Sequence, residues 1–117
     1  MGLTSVEGLL TGPTGKQAKV NFLVDSGATY TLVPAEDVRV LGLQPKRSVT
    51  FSLADGTTIE RQVSECHLSL PQGEGHTPVI LGEPGDEALL GAITLEEFGL
   101  VLNPFNRKLQ PMRMMLA

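Results

Sequence analysis

The segment FLVDSGAT, residues 22–29, constrains the fold of this chain more than any other part of the sequence. Three apolar residues lead directly into Asp25, and a carboxylate at the end of a buried strand is costly unless other groups hold it. Ser26, Gly27 and Ala28 follow, and such small residues let another backbone segment approach closely. The segment therefore predicts a built site around Asp25 rather than an ordinary surface turn.

The composition predicts a single domain over residues 1–117, which is long enough for one modest core. Its 13 glycines and eight prolines indicate the many turns of an all-β fold. The net charge of −4 argues against a nucleic-acid partner, and no apolar run reaches the ~18 residues of a membrane span. Cys66 is the only cysteine, so an internal disulfide is excluded and a reducing, cytoplasmic location is expected.

Apolar alternation and turn-forming residues predict a mostly β chain with two short helices. The expected strands are 3–10, 18–25, 28–34, the two arms of a hairpin at 48–70, 78–82, 88–91 and a pair within 100–112. One helix is expected after Val33 with Gly42 as its end, and the other after Ala92 with Gly99 as its end. The polar segment at 71–78 is predicted to be a loop.

The hairpin at 48–70 has a residue pattern that predicts its loop length. A three-residue loop, Ala54-Asp55-Gly56, places odd-numbered residues of both arms on one face, because side chains alternate along a strand. Gly56 then takes the left-handed position that such loops need. The odd face would carry Val49, Phe51, Leu53, Thr57, Ile59 and Val63, and the even face Thr50, Ser52, Thr58, Glu60 and Gln62. The hairpin is therefore predicted to be amphipathic, with a dry apolar underside.

Other kinds of site find little support in the sequence. Cys66, His67 and His76 are too few for a metal site at the usual ligand spacing, and no metal or other cofactor is expected. No Gly-x-Ser-x-Gly segment is present for a serine nucleophile. The segment GPTGK at 12–16 has Leu10 and Gln17 where a phosphate-binding loop needs Gly and Ser or Thr, so it is interpreted as a turn.

The segment LVDSGAT, at 23–29, resembles the active-site loop of the retroviral-type aspartic proteases, the retropepsin-like family. The order of segments over about residues 4–103 is similar too, including the long hairpin and an apolar-apolar-Gly segment, LLG at 89–91, before a helix. The resemblance implies a single-lobe, closed β-barrel with catalytic Asp25. It also implies that Ser26, Gly27, Ala28, Thr29, Leu90 and Gly91 support the loop, and that 48–64 is a flap whose Leu53, Ala54, Asp55, Gly56, Thr57 and Thr58 contact substrate.

Aspartic proteases use two carboxylates that lie side by side and share one proton. The chain has one such motif, so a second Asp25 must come from a second copy, and a twofold homodimer is expected. The resemblance then implies an aspartic endopeptidase that acts on an extended peptide or polypeptide. Residues 100–117 are expected to form a hairpin and tail at the dimer interface, with Met112, Met114 and Met115 packed in the core or interface.

The sequence departs from the retroviral pattern at two paired positions. Many retroviral members have an acid and an arginine where this chain has Thr29 and Ala92, so neither charge is left without its partner. The hairpin tip, Asp55-Gly56, also has fewer glycines than the family's flap. Two alternatives stay open: Asp25 is a turn aspartate that caps its own backbone, or the chain is a catalytically silent retropepsin-like dimer used for binding or assembly.

Overall fold

The computed structural model describes residues 4–113 and residue 116, and this part of the chain is mainly β. The strands are β1 Ser5–Thr11, β2 Gln17–Val24, β3 Thr31–Val33, β4 Arg47–Ser52, β5 Thr58–Leu70, β6 Gly73–Leu81, β7 Leu89–Leu90, β8 Leu100–Leu102 and β9 Leu109–Pro111. The helices are α1 Ala35–Leu41 and α2 Ala92–Glu97. Neither helix of the described residues is long and apolar enough to cross a membrane.

One curved sheet holds the strands in the order β1-β2-β7-β3-β6-β5-β4, and β8 pairs with β9 in a small second sheet. β1 also pairs with β5, where Leu9–Thr11 lie opposite His67–Ser69. This pairing curls the sheet back on itself. The mostly β fold is therefore confirmed, whereas closure into a complete barrel stays a prediction.

The core lies inside this curl and determines which face of β2 points inward. Val20, Phe22 and Val24 are buried because alternate residues of a strand share one face. They pack in one cluster with Leu10 of β1, Leu68 of β5 and Leu90 of β7. The strand that leads to Asp25 is thus fixed by core packing up to its last residue.

Both short helices form where the sequence predicted them. Pro34 immediately precedes the first residue of α1, and Gly42 ends the helix with φ +70°, the left-handed conformation of a helix end. α2 begins directly after Gly91, and Gly99 follows its end with φ +65°. These boundaries set how many residues lie between the Asp25 segment and each helix.

The prediction that residues 71–78 form a loop is wrong. β6 begins at Gly73 and pairs with β5 from Leu70 onward, so only Pro71 and Gln72 separate the two strands. Gly75 has a packing role here, since a Cβ at that position would lie 3.3 Å from the ring of Phe98. Glycine makes room for this ring, and its presence in the sequence was mistaken for a loop signal.

Candidate active site

Asp25 lies immediately after β2 and is held by its own turn and by β7. Its backbone N–H donates to the carbonyl of Leu90 at 3.0 Å, and its own carbonyl accepts from the N–H of Ala28 at 3.0 Å. Its Oδ1 accepts from the N–H of Gly27 at 3.0 Å. Asp25 is half-buried.

β7 supports both flanks of the Asp25 segment. Leu89 and Leu90 pair in parallel with the end of β2, and Leu89 also pairs with Leu32 of β3. Gly91 comes next, and a Cβ on it would lie 2.4 Å from both the carbonyl carbon and the carbonyl oxygen of Tyr30. The structure therefore brings the LLG segment against the Asp25 segment, and the close approach requires glycine at position 91.

The first turn of α2 also supports the Asp25 segment. The N–H of Ala92 donates to the carbonyl of Ala28 at 2.8 Å, and the N–H of Ile93 donates to the carbonyl of Thr29 at 3.0 Å. Thr29 and Ala92 stand where the retroviral pattern has a charged pair. In this chain, backbone hydrogen bonds connect those two segments instead.

Three buried threonines form a hydroxyl cluster that sequence reasoning missed. The Oγ1 atom of Thr94 lies 2.6 Å from Oγ1 of Thr31 and 2.7 Å from Oγ1 of Thr77. Thr31 Oγ1 also accepts from the N–H of Gly91 at 3.0 Å. Every buried side-chain nitrogen or oxygen in the described part of the chain has a partner. The signal in the sequence that could have indicated this cluster was a threonine at an inward-facing position in each of three separate apolar segments.

The bond from Gly27 to the Asp25 carboxylate is compatible with two interpretations. A turn aspartate makes such a bond to its own backbone, and so does the expected catalytic loop. The backing by Leu90 and Gly91 and the threonine cluster go beyond what a surface turn requires. The local structure therefore fits the predicted site around Asp25 better than an isolated surface turn.

The surface beside the Asp25 turn is open. Ser26, Gly27 and Thr29 are exposed. A groove of about 730 Å³ extends from Ser26 along α2 to the β8–β9 sheet, lined by Leu95, Leu100, Val101, Leu102 and Met112 among others. Val101 is 42% exposed and Phe105 is 95% exposed. An apolar surface thus adjoins the turn that carries Asp25. Met114 and Met115 of the predicted interface tail lie outside the described residues.

The β4–β5 hairpin has the predicted loop. Ser52 pairs with Thr58, the N–H of Leu53 donates to the carbonyl of Thr57 at 2.7 Å, and that of Gly56 donates to the carbonyl of Leu53 at 3.0 Å. Gly56 has φ +89°, as expected for the left-handed position. Asp55 Oδ1 accepts from the hydroxyl of Thr57 at 2.6 Å and from its N–H at 3.0 Å, and these bonds lower the pKa of Asp55.

The odd-numbered face of this hairpin is covered only near its base. Val63 is buried and Phe51 is half-buried, whereas Leu53 is 43% exposed and Ile59 is 37% exposed. The expectation of a dry underside along the whole hairpin is therefore wrong in the single chain, because the apolar side chains near the tip are exposed. The same face leaves apolar side chains available near the loop.

A contact from β4 joins the hairpin to the Asp25 segment. The rings of Phe51 and Tyr30 meet edge-on, with centroids 6.0 Å apart. Arg47 Nη2 donates to the hydroxyl of Tyr30 at 3.1 Å, and the guanidinium carbon lies 5.7 Å from the centroid of that ring. Tyr30 follows the Asp25 turn directly, so these side chains connect the hairpin to the site.

A second contact comes from β5 and was also missed by sequence reasoning. Arg61 Nη1 lies 2.7 Å from Asp86 Oδ2, which also accepts from the N–H of Glu83 at 2.8 Å. The hydrogen bond with Arg61 and the bond from Glu83 lower the pKa of Asp86, and the same pair raises the pKa of Arg61. Arg61 thus ties the other arm of the hairpin to the loop between β6 and β7.

The histidines and the cysteine lie on another part of the sheet. His67 Nε2 is 3.3 Å from Glu74 Oε1, and its ring meets that of His76 edge-on. Burial, followed by the nearby charge of Glu65, raises the pKa of the Cys66 thiol to about 11. Among the described residues, no group of three or more His, Cys, Asp or Glu side chains is placed to hold a metal ion.

Comparison with known proteins places the chain among retroviral-type proteases. The profile of the gag-polyprotein putative aspartyl protease family matches residues 14–97. No curated protein sequence matches the chain at a significant level.

The solved structures that are similar to this chain include the following three. Simian foamy virus (mac) protease has a TM-score of 0.57 and 19% identity, covering 80% of this chain and 92% of the other. A retropepsin-like aspartic protease from Rickettsia conorii has a TM-score of 0.51 and 27% identity, covering 87% of this chain and 85% of that one. Prototype foamy virus protease-reverse transcriptase has a TM-score of 0.55 and 18% identity over 97% of this chain, which spans only 12% of that longer protein.

Proposed function

The chain belongs to the gag-polyprotein putative aspartyl protease family, and on this premise we propose that it is an aspartic endopeptidase active as a twofold homodimer. The observation that carries the proposal is the position of Asp25, which is half-buried at a turn backed by Leu90 and Gly91. Ser26, Gly27, Ala28 and Thr29 form the rest of that turn.

The chemistry needs a second carboxylate, and the twofold partner supplies it. Two like charges about 3 Å apart do not both ionise readily, so the pair of Asp25 side chains shares one proton. The ionised carboxylate takes a proton from a water molecule, which attacks the scissile carbonyl carbon. The protonated carboxyl group donates a hydrogen bond to the carbonyl oxygen and stabilises the charge that develops there.

The surface around the turn supports the homodimer. Ser26, Gly27 and Thr29 are exposed, as residues that face a partner's identical loop must be in a single protomer. The apolar groove along α2 and the β8–β9 sheet, together with Phe105, offers additional area for the second copy. Residues 100–113 are therefore proposed as part of the dimer interface.

The β4–β5 hairpin is proposed as the flap that covers an extended peptide. Such peptides bind through strand-like backbone hydrogen bonds, with side chains alternating between pockets. Leu53 and Ile59 are exposed near the tip, which favours apolar residues near the cut. The tip residues Ala54, Asp55, Gly56, Thr57 and Thr58 would lie over the substrate, and closure would cover the apolar side chains.

The alternative function is a catalytically silent dimer that serves binding or assembly, since a fold does not by itself define an activity. The intact Asp-Ser-Gly triplet on its backed turn favours the enzyme. On the ground that Cys66 is the single cysteine, we propose a cytoplasmic location.

The test is Asp25→Asn. The amide keeps the shape of the carboxyl group but cannot ionise, so hydrolysis of a peptide library should fall to background while the protein stays folded. Asp37→Asn, in the first turn of α1 and half-buried like Asp25, is the matched control and should keep the wild-type rate. Sedimentation should show a dimer for both variants, as tight as the wild type or tighter for Asp25→Asn, because that change removes repulsion between two carboxylates.

The pH profile gives a second readout. Wild-type activity should fall at high pH as the shared proton is lost and at low pH as the second carboxylate is protonated, and both flanks describe the coupled pair. Cleavage by Asp25→Asn at the wild-type rate would overturn the protease proposal. A wild-type dimer that cleaves nothing in the library would favour the silent alternative, and peptide cleavage by a protein that remains monomeric would overturn the shared dyad.

A further inference from the structure

The odd-numbered face of the β4–β5 hairpin carries two arginines in very different surroundings. Arg61 pairs with Asp86 at 2.7 Å, and its side chain is only 20% exposed. Arg47 is exposed, and its polar partner is the neutral hydroxyl of Tyr30. No carboxylate in residues 4–113 lies within ion-pair distance of Arg47. One guanidinium is therefore neutralised within the protomer, and the other is not.

The position of Arg47 is fixed by the Tyr30 side chain. The guanidinium lies over the ring, a favourable arrangement for a cation and an aromatic face, and one N–H group bonds to the hydroxyl. Tyr30 is itself held by the ring of Phe51 and by the close approach of Gly91 to its backbone. An exposed arginine that is held in one place loses less side-chain freedom when it binds a ligand.

The same contacts place the guanidinium beside the proposed cleft. Tyr30 follows the Asp25 turn, and Phe51 lies on the face of the hairpin that carries Leu53 near the tip. Arg47 lies near the base of the hairpin, so it borders the cleft away from the apolar side chains at the tip. Its planar group keeps further N–H donors that suit a carboxylate.

We propose that Arg47, positioned by Tyr30, makes the protease prefer peptides that carry an Asp or Glu side chain outside the apolar residues at the cut. This inference rests on the proposed protease function. Because a twofold dimer has two copies of Arg47, the preference applies on both sides of the scissile bond.

The size of the preference follows from the exposure of the arginine. An exposed ion pair contributes modestly, so an acidic residue should raise kcat/KM by about two- to fivefold over its amide counterpart. Salt screens exposed charges with a Debye length of about 10 Å at 0.1 M. The acid-to-amide ratio should therefore shrink toward one as the salt concentration rises.

The experiment uses pairs of peptides about ten residues long, built around a sequence that the wild-type dimer cleaves. Each pair has Glu or Gln at one outer position, and the position is scanned along both sides. In the wild type, one position on each side should give the expected Glu-to-Gln ratio. Arg47→Gln should bring that ratio to about one, and Arg47→Glu should bring it below one, because two like charges then meet.

Lys46→Gln is the matched control, since it removes the same charge from the neighbouring residue. Lys46 lies 3.9 Å from Glu65, with both side chains about 60% exposed, so its pairing contributes little. The Glu-to-Gln ratio of this variant should equal that of the wild type. An equal loss in both variants would show a general effect of net charge, and would overturn the role of Arg47.

Binding separates this inference from the proposed function. Fluorescence anisotropy of the same labelled peptides with Asp25→Asn protein reports recognition without hydrolysis, and the Glu peptide should bind more tightly than the Gln peptide. If the wild-type protein cleaves no peptide of the library but still binds a Glu peptide more tightly than its Gln counterpart, the role of Arg47 is supported and the protease proposal is overturned. Cleavage without any Glu preference, or an Arg47→Gln loss that is equal for Glu and Gln peptides, would show that Arg47 only braces Tyr30.

Discussion

The Asp25 turn and the β4–β5 hairpin face each other across the proposed cleft but are held in opposite ways. The turn is fixed by backbone hydrogen bonds to β7 and α2, by the close packing of Gly91 and by a buried threonine cluster. The hairpin extends from the sheet, and most of its residues from Ser52 to Glu60 are exposed. It is joined to the rest of the chain near its base, by side-chain contacts and by the pairing of β5 with β6 from Val63 onward.

The difference shows how stability is distributed around the site. Elements with few buried contacts open at a lower free energy than the core, and binding elements are often of this kind. A change at the turn should therefore affect global unfolding, whereas a change at the hairpin should affect turnover more than stability.

The largest effect on stability is expected for Gly91→Ala. The added Cβ would lie 2.4 Å from the carbonyl group of Tyr30, and backbone on both sides must move to relieve the clash. Overpacking of this kind typically costs about 1–3 kcal/mol, and contact with backbone puts this case at the upper end. Chemical denaturation of the purified variant measures the loss.

Gly27→Ala provides the comparison within the same turn. Its Cβ would meet a single side-chain atom, Asp25 Oδ1, at 3.2 Å. Its loss of unfolding free energy should be clearly smaller than that of Gly91→Ala. Equal losses would mean that β7 does not support the turn as tightly as the contacts indicate.

An intermediate effect is expected for Gly56→Val at the hairpin tip. No atom lies within 4 Å of a Cβ at Gly56, so the cost comes from the left-handed backbone at φ +89°. This strain is roughly 1 kcal/mol or more. Turnover should fall more than this stability loss accounts for, because the loop over the substrate changes shape.

Gly15→Val is the matched control, because Gly15 has φ +88° and equally open surroundings in the turn between β1 and β2. It should lose similar unfolding free energy and keep its turnover. If both valine variants lose turnover in the same proportion, the β4–β5 hairpin has no special part in catalysis.

The smallest effect is expected for Asp86→Asn, which weakens the pair with Arg61 at the base of the hairpin. The partly exposed pair should contribute about 1 kcal/mol or less. Because the folded pKa of Asp86 lies below its ordinary value of 3.8, the contribution is present above that value and is lost as the pH falls through the lowered pKa.

Unfolding curves of wild type and variant should therefore differ by a constant amount at neutral and mildly acidic pH. The difference should begin to shrink below about pH 3.8 and should disappear once the pH lies below the lowered folded pKa, where Asp86 is protonated in both states. Glu87→Gln, an exposed neighbour, is the control and should not show this dependence. A difference that persists at low pH would show that Asp86 stabilises the fold through contacts other than its ion pair with Arg61.

Local signals in the sequence were sufficient to predict the Asp25 turn and the loop of the β4–β5 hairpin. The register of β4 and β5, the left-handed Gly56 and the two helices ended by Gly42 and Gly99 agree with the residue patterns. These features depend on alternation, turn chemistry and helix ends, all of which act over a few residues. The contact of the LLG segment with the Asp25 segment was anticipated through the family resemblance.

Features that depend on distant partners were missed. Gly75 was interpreted as a loop signal because its neighbour, the Phe98 ring, is far away in sequence. Arg61 and Asp86 gave no sign of their pairing, and the threonines resembled ordinary strand residues. The exposure of Leu53 and Ile59 could not be read from alternation, since a pattern defines a face but not what covers it.

The hydroxyl cluster also governs when the site can assemble during synthesis. Thr31 is 60 residues from Gly91 and 63 residues from Thr94, so these bonds close large loops of chain. At about 5–20 residues per second, a ribosome needs roughly 3 to 13 s to add the missing segment after Thr31. Until then the Asp25 turn lacks its backing, and an incomplete chain has not assembled the proposed active site.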